Sequence, residues 1–196
     1  MDDGGVKMIE RIKAAFSFRK DIYKEVELDE SFTNSAWIIV AVAALLSSMG
    51  ANAEMIRSSF GSWLLGSIFR AAVSVGGFAL SCYIINWLSK ALFKAETNFN
   101  ELVRTLGLAS VWNAVGFLGI ISVISPALRC ATGIFEFAGG IAGLVAWVIA
   151  AKEALDLEWG ETILTIVIGW VAQAVILWLA GLILARAGLG VVSAIF

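Results

Sequence analysis

The sequence predicts an all-α membrane protein: a five-span transmembrane helix bundle preceded by an N-terminal cytoplasmic amphipathic helix. Three observations lead there. First, 60% of the residues are hydrophobic and only 15% charged, with a mean hydropathy of +0.88, whereas soluble domains carry about 25% charged residues. A chain of 196 residues has too little interior to hide that much apolar surface from water. Second, the apolar runs are long and continuous. Lipid admits only helices and closed barrels, because unpaired backbone groups are too costly there, and barrel strands alternate over about 10 residues. Third, glycine is plentiful at 19 residues and proline nearly absent at one, a bias that suits closely packed membrane helices.

A span needs roughly 20 apolar residues. Five segments qualify, at about 36–53, 71–88, 106–124, 132–151 and 162–185. Ahead of the second lies Ser62-Trp63-Leu64-Leu65-Gly66-Ser67-Ile68-Phe69-Arg70, apolar enough to lengthen that helix or to lie in the interface. Arginine at a span centre costs about 2.5–3.5 kcal/mol on insertion scales, so Arg70 is placed at the outer boundary, where it can snorkel. Asn98 followed by Glu101 reads as the helix start leading into the third span, a capping side chain and then an acid in the first turn. Ser125-Pro126 breaks the apolar run after the third span, since proline lacks the N–H a helix interior needs. Few polar residues join the third and fourth segments, which also admits a re-entrant hairpin.

Ten basic residues flank the spans on one side: Lys7, Arg11, Lys13, Arg19, Lys20, Lys24, Lys90, Lys94, Arg104 and Lys152. Four lie on the other, Arg57, Arg70, Arg129 and Arg186. The excess orients the N-terminus to the cytoplasm and, with five spans, the C-terminus to the outside. Trp37, Trp63, Trp87 and Trp159 fall near predicted span ends, as aromatic belts do. The first 32 residues lack the apolar core of a secretory signal.

The chain divides at residue 32 into a polar N-terminal segment, 1–32, and the transmembrane domain, 33–196. In the first, Met8, Ile9, Ile12 and Phe16 recur at helical spacing among Lys7, Arg11, Lys13, Arg19 and Lys20. Such a helix either lies flat among anionic headgroups or caps the cytoplasmic end of the bundle. Tyr23 then leads into Glu25, Glu27, Asp29 and Glu30. This acidic run reads either as a solvated linker ahead of a helix capped by Ser31, Thr33 or Asn34, or as a patch that holds a cation or a basic partner.

Within the spans Glu136 is the one acid. An intramembrane ionisable group is by default a functional candidate, and Arg129, seven residues earlier, is its expected ion-pair partner. Asn113 and Gln173 are polar but uncharged and suit interhelical hydrogen bonding. Gly139 and Gly143 form a small-residue face for packing within the bundle or between copies.

No catalytic motif, phosphate loop or metal-ligand spacing is present. Histidine is absent, which removes the commonest general base. Cys82 and Cys130 stand far apart and read as small hydrophobes. No cofactor is expected, and a net charge of −2 gives no footprint for nucleic acid.

Three segments in order resemble the Yip (Ypt/Rab-interacting) family of membrane proteins, in its short prokaryotic branch. They are Tyr23-x-Glu25-Val26-Glu27-x-Asp29 after a basic stretch; Asn98-Phe99-Asn100-Glu101-Leu102-Val103-Arg104-Thr105-Leu106-Gly107; and Ala151-Lys152-Glu153-Ala154-Leu155 followed by a span containing Ile168-Gly169-Trp170. Family members often carry a proline soon after the position of Gly107, where this chain reads Leu108-Ala109-Ser110-Val111-Trp112. The resemblance implies five spans, a cytoplasmic N-terminus and, in a prokaryote, the cytoplasmic membrane. The GTPase partners of eukaryotic relatives are not carried over.

The expected function is therefore a non-enzymatic membrane scaffold or adaptor. Its contacts are membrane lipids and either a membrane-protein partner or copies of itself. The residues expected to make them are Lys7, Arg11, Lys13, Phe16, Arg19, Lys20, Tyr23, Glu25, Glu27 and Asp29. The alternatives are a small transporter or channel, with a polar path along Glu136, Asn113 and Gln173, and an accessory subunit of a larger membrane complex.

Overall fold

A computed structural model describes residues 3–125 and 127–186, with side chains described at 5–125, 127–172, 174 and 175. Pro126 and the side chains of Gln173 and Arg186 lie outside the described residues. Seven α-helices follow one another: α1 Asp3–Phe16, α2 Lys20–Leu28, α3 Thr33–Ala51, α4 Phe60–Phe93, α5 Phe99–Ala109, α6 Leu128–Leu155 and α7 Trp159–Arg186. No strand occurs among the described residues. Four helical stretches there are long and apolar enough to cross a membrane: Glu30–Ala51, Phe60–Phe93, Phe99–Val123 and Leu128–Leu155. They contain the second and fourth predicted spans and overlap the first and third to within two residues of their ends, and α7 takes in the segment expected as the fifth as a helix.

α4 is longer than its expected span. It runs 34 residues, roughly 51 Å at 1.5 Å per residue, against a hydrocarbon core of about 30 Å. The stretch Phe60–Phe69 joins the helix rather than lying apart, and Arg70 sits exposed within it. Between Arg70 and Lys90 stand nineteen uncharged residues, about 29 Å of helix, which matches the apolar layer. The turns before Arg70 must extend past it or tilt.

The third span is not one α-helix. Asn98 opens α5 with a capping box: its side chain accepts from the Glu101 N–H at 3.1 Å, and the Glu101 carboxylate accepts from the Asn98 N–H at 2.9 Å. At Ser110 the helix tightens to 3-10 geometry and keeps it to Val123, although 3-10 runs longer than 3–4 residues are uncommon. The sequence supplies reasons. The Ser110 hydroxyl donates back to the Leu106 carbonyl at 2.9 Å, a contact that bends helices. Gly107, Gly116 and Gly119 lower α-helix propensity along the segment. The tighter spiral rises about 2.0 Å per residue, so 14 residues cover about 28 Å.

This span lies between α3 and α6, and α4 and α7 complete the bundle through contacts α3–α4, α4–α7 and α7–α6. Glycine marks the closest approaches. A Cβ added at Gly50 would overlap the Gly116 carbonyl, and one at Gly139 would stand 2.6 Å from Val115 Cγ1. Gly143 faces the Trp112 Cβ, Gly107 faces Ala36, and Gly169 faces Ile85. The glycine pair Gly139 and Gly143 thus lies against the third span of the same chain.

The densest burial lies at the N-terminal end of the bundle. Leu102 to Val111 are buried without interruption, because α5 is surrounded by α2, α3, α4 and α6. α1 and α2 add Ala15, Ile22, Tyr23 and Val26 to this core. α6 closes over it with Ala150, Ala151, Ala154 and Leu155. Along the membrane-facing surface Leu65, Tyr83, Trp87, Ile134 and Phe137 stand exposed, as lipid contact requires.

Replacing Gly50 by alanine is expected to cost about 1–3 kcal/mol or more through overpacking. Gly76→Ala has nothing within 4 Å of the new Cβ and is expected to be neutral or to stabilise by up to about 1 kcal/mol. Thermal unfolding of the two purified variants in one detergent checks the contrast.

Candidate functional site

All three sequence segments that carry the family resemblance meet at the N-terminal end of the bundle. Arg104, from the second segment, is buried at 5% exposure. Its Nε donates to the Glu27 carbonyl at 3.0 Å, its Nη2 donates to the same oxygen, and its Nη1 donates to the Thr33 hydroxyl at 3.3 Å. One guanidinium from the third span thereby holds the end of α2 and the start of α3 together. Its planar fork of donors suits two acceptors at once.

Arg11 does the same for α1. It is also 5% exposed, and its Nη2 lies 2.7 Å from Glu25 Oε1 and 2.7 Å from Asp29 Oδ2. Its guanidinium stacks over the Phe32 ring at 4.9 Å. Burial works against its charge, and the hydrogen bonds to Glu25 and Asp29 more than offset that penalty. The helix-spaced apolar residues of α1 turn toward the bundle: Met8, Ile12 and Phe16 line an apolar groove with Ile39, Val42 and Val111. Phe16 meets the Trp112 ring edge-on at 4.9 Å, and Phe18 stacks on it at 5.1 Å. Lys7, Lys13, Arg19 and Lys20 remain exposed, with Lys20 over the Trp159 ring at 5.7 Å.

The acidic run is therefore not a solvated linker. Glu25 and Asp29 clasp Arg11. Glu27 is buried, 3.1 Å from Lys24 Nζ. Lys24 also reaches Asp156 at 3.0 Å, tying α2 to the end of α6, where Asp156 adopts a left-handed conformation with φ 48°. The helix start expected at Ser31, Thr33 or Asn34 is made one turn earlier: the Asp29 carboxylate accepts from the Ser31 N–H at 3.1 Å and opens a 3-10 turn, Glu30–Phe32, that runs into α3.

Two carboxyls only two residues apart are displaced in opposite directions. Burial pushes Glu27 up from the usual carboxylate range. The Ser31 hydroxyl, then the Arg11 guanidinium, hold Asp29 down at about 2. Tyr23 is fully buried, its hydroxyl has no hydrogen-bond partner among the described residues, and burial pushes it up to about 12.

Beside Glu27 the α4–α5 loop and the end of α6 leave a cavity of about 510 Å³, lined by Glu27, Lys94, Glu96, Thr97, Glu101 and Asp156. Its four acids outnumber Lys94 in the lining and Lys24, which pairs with Glu27 and Asp156, so the cleft is acidic. Neither Glu96 nor Lys94 was singled out as a site residue from the sequence, and no local pattern marks them. The loop is placed by Lys94, which ends α4 in the left-handed region at φ 57°.

Glu136 lies toward the opposite end, and Asn113 between the two, next to Trp112. Glu136 and Asn113 line one cavity, of about 240 Å³. Arg129 does not pair with Glu136 as expected; it forms an ion pair with Glu54 across the interhelical loop. Arg57 donates to the Ser122 and Val123 carbonyls at 3.3 and 2.9 Å.

A Yip1 domain matches residues 15–187, which takes in α2 through α7 and all three converging segments. No curated protein and no solved structure matches the chain.

Two measurements check this site. Asp29 has a folded pKa of about 2, below its unfolded value near 3.9, so its contribution is complete above about pH 4 and lost as the pH falls through its folded pKa. Melting of the wild type is expected to drop across that interval, and Asp29→Asn is expected to flatten the drop. Tyr23→Phe removes a buried hydroxyl without a partner, so stability is expected to hold or rise by about 1 kcal/mol.

Proposed function

Since the chain belongs to the Yip1-domain family, we propose that it is a non-enzymatic, five-span membrane scaffold whose N-terminal face is a cytoplasmic docking platform. The observation that carries this reading is the set of ties that fasten that face to the bundle. α1 and α2 are fastened to the bundle by Arg11, Lys24 and Arg104, so the acidic cleft between Glu27, Glu96, Glu101 and Asp156 is held open in a preformed shape. Preorganisation lowers the cost of binding. The cleft's charge fits a basic segment of a membrane-associated partner, and the exposed Lys7, Lys13, Arg19 and Lys20 fit anionic headgroups around it. α1 then combines the two sequence readings: it caps the bundle with one side and presents Ile9 and Lys13 to the headgroup layer with the other.

The orientation follows from the basic-residue excess and is supported by the path of the chain. In this topology the start of α6 lies outside. Cys130 is exposed there and Cys82 is buried in α4. A membrane-impermeant maleimide applied to intact cells is expected to label Cys130 and spare Cys82. Labelling of Cys130 only after permeabilisation reverses the topology.

The docking reading is tested with Glu96→Lys, a change at an exposed position that reverses charge at the cleft without touching the buried clasp. Gentle purification of both forms with mass spectrometry of co-purifying proteins is expected to return a partner with the wild type and lose it in the variant. A wild type that elutes alone, or a partner retained by Glu96→Lys, refutes it.

A further inference from the structure

At the far end of the bundle a trench runs between α3 and α6 over the 3-10 part of the third span. Its outer part, about 200 Å³, is lined by Gly50, Glu54, Gly119, Ser122, Arg129 and Glu136. Its inner part, about 240 Å³, is lined by Ser47, Trp112, Asn113, Gly116, Glu136 and Gly140. Glu136 and Ala51 border both. Glu136 therefore stands where the two parts adjoin, with Gly119 close enough that an added Cβ would lie 2.8 Å from Glu136 Oε1.

The charge balance of the trench is uneven. Among the lining residues Glu54 and Arg129 neutralise each other; Arg57 keeps its charge but lies outside the lining, its guanidinium donating to the Ser122 and Val123 carbonyls. Glu136 has neither ion pair nor hydrogen bond among the described residues. A carboxylate at membrane depth, some 12 Å along α6 from Leu128, is costly without a counter-charge. The missing complement is one positive charge.

We propose that the trench is a binding site for an organic primary ammonium group, seated against Glu136. A metal ion fits poorly, since no cluster of three acidic, cysteine or histidine ligands occurs among the described residues, and hard cations take 6–8 oxygens. The volume also exceeds many times the roughly 30 Å³ share of one water. A primary ammonium carries three N–H donors, for which Glu136, the Ser47 hydroxyl and the Asn113 amide oxygen are acceptors along the inner part. Its carbon body packs against Ala51, Gly116, Gly140 and Trp112. The same chemistry comes from an aminophospholipid headgroup entering sideways or from a free amine entering from the outer face. This site is independent of the docking platform, and either can fail alone.

The test uses the full chain in phosphatidylcholine nanodiscs, whose quaternary headgroup offers no N–H. A hydrophobic carbodiimide, which reaches carboxyl groups from the apolar phase, is expected to label Glu136, with the site located by peptide mass spectrometry and lost in Glu136→Gln. Adding phosphatidylethanolamine to the discs, or n-butylammonium to the buffer, is expected to reduce total modification of Glu136, acylurea adduct and amide with the added amine counted together, by roughly tenfold at about ten times the dissociation constant. Protection by the lipid alone assigns the headgroup, and protection by the soluble amine alone assigns a free ligand. Ala51→Leu narrows both parts of the trench and is expected to abolish protection while Glu136 still labels. Equal labelling with and without either amine, protection by tetramethylammonium as strong as by n-butylammonium, or protection that survives Ala51→Leu overturns the proposal.

Discussion

In a bilayer, apolar side chains gain little from facing one another rather than lipid tails, so helices associate through close van der Waals packing and interhelical hydrogen bonds. In this chain that requirement falls on the third span. It is wedged between α3 and α6, and at Gly50 and Gly116 the backbones meet with no room for a Cβ. Gly139 and Gly143 do the same for α6 against Val115 and Trp112. The 3-10 geometry from Ser110 onward belongs to the same solution. A narrower, longer spiral brings backbone rather than side chains to its neighbours, and it covers membrane depth with fewer residues.

The two ends of the bundle solve the polar problem differently. At the N-terminal end, buried charges are surrounded by acceptors. Arg104 is satisfied by a carbonyl and a hydroxyl, and Arg11 by two carboxylates and an aromatic face. Burial of a charge is tolerated only with such completeness, and the result is a cap with a fixed shape. At the far end Arg57 and the Glu54–Arg129 pair fasten the connections between helices, and Glu136 has no ion-pair partner among the described residues. A fastened cap at one end and an open polar trench at the other come from one arrangement of helices.

Much was legible along the chain. The apolar runs located the four membrane-length helical stretches found among the described residues, because burial in lipid needs length and hydropathy, both local properties. Asn98 and Glu101 announced the start of α5, because a capping box closes within four residues. The start of α4 was less legible. Nothing apolar distinguishes Phe60–Phe69 from the residues that follow, so only Arg70 suggested a boundary, and a helix carries an exposed arginine without breaking.

What the residues determined alone is the class of molecule: long apolar helices, a basic N-terminal segment, glycine in place of proline, and the three segments of its family. What only the tertiary structure decided is who pairs with whom. Arg11 and Glu25 are 14 residues apart, Arg129 and Glu54 are 75 apart, and Lys24 and Asp156 are 132 apart. Hydropathy is set by each residue alone, whereas an ion pair needs two side chains brought within 4 Å. That distance depends on how glycine lets the backbones between them approach, which no stretch of sequence states by itself.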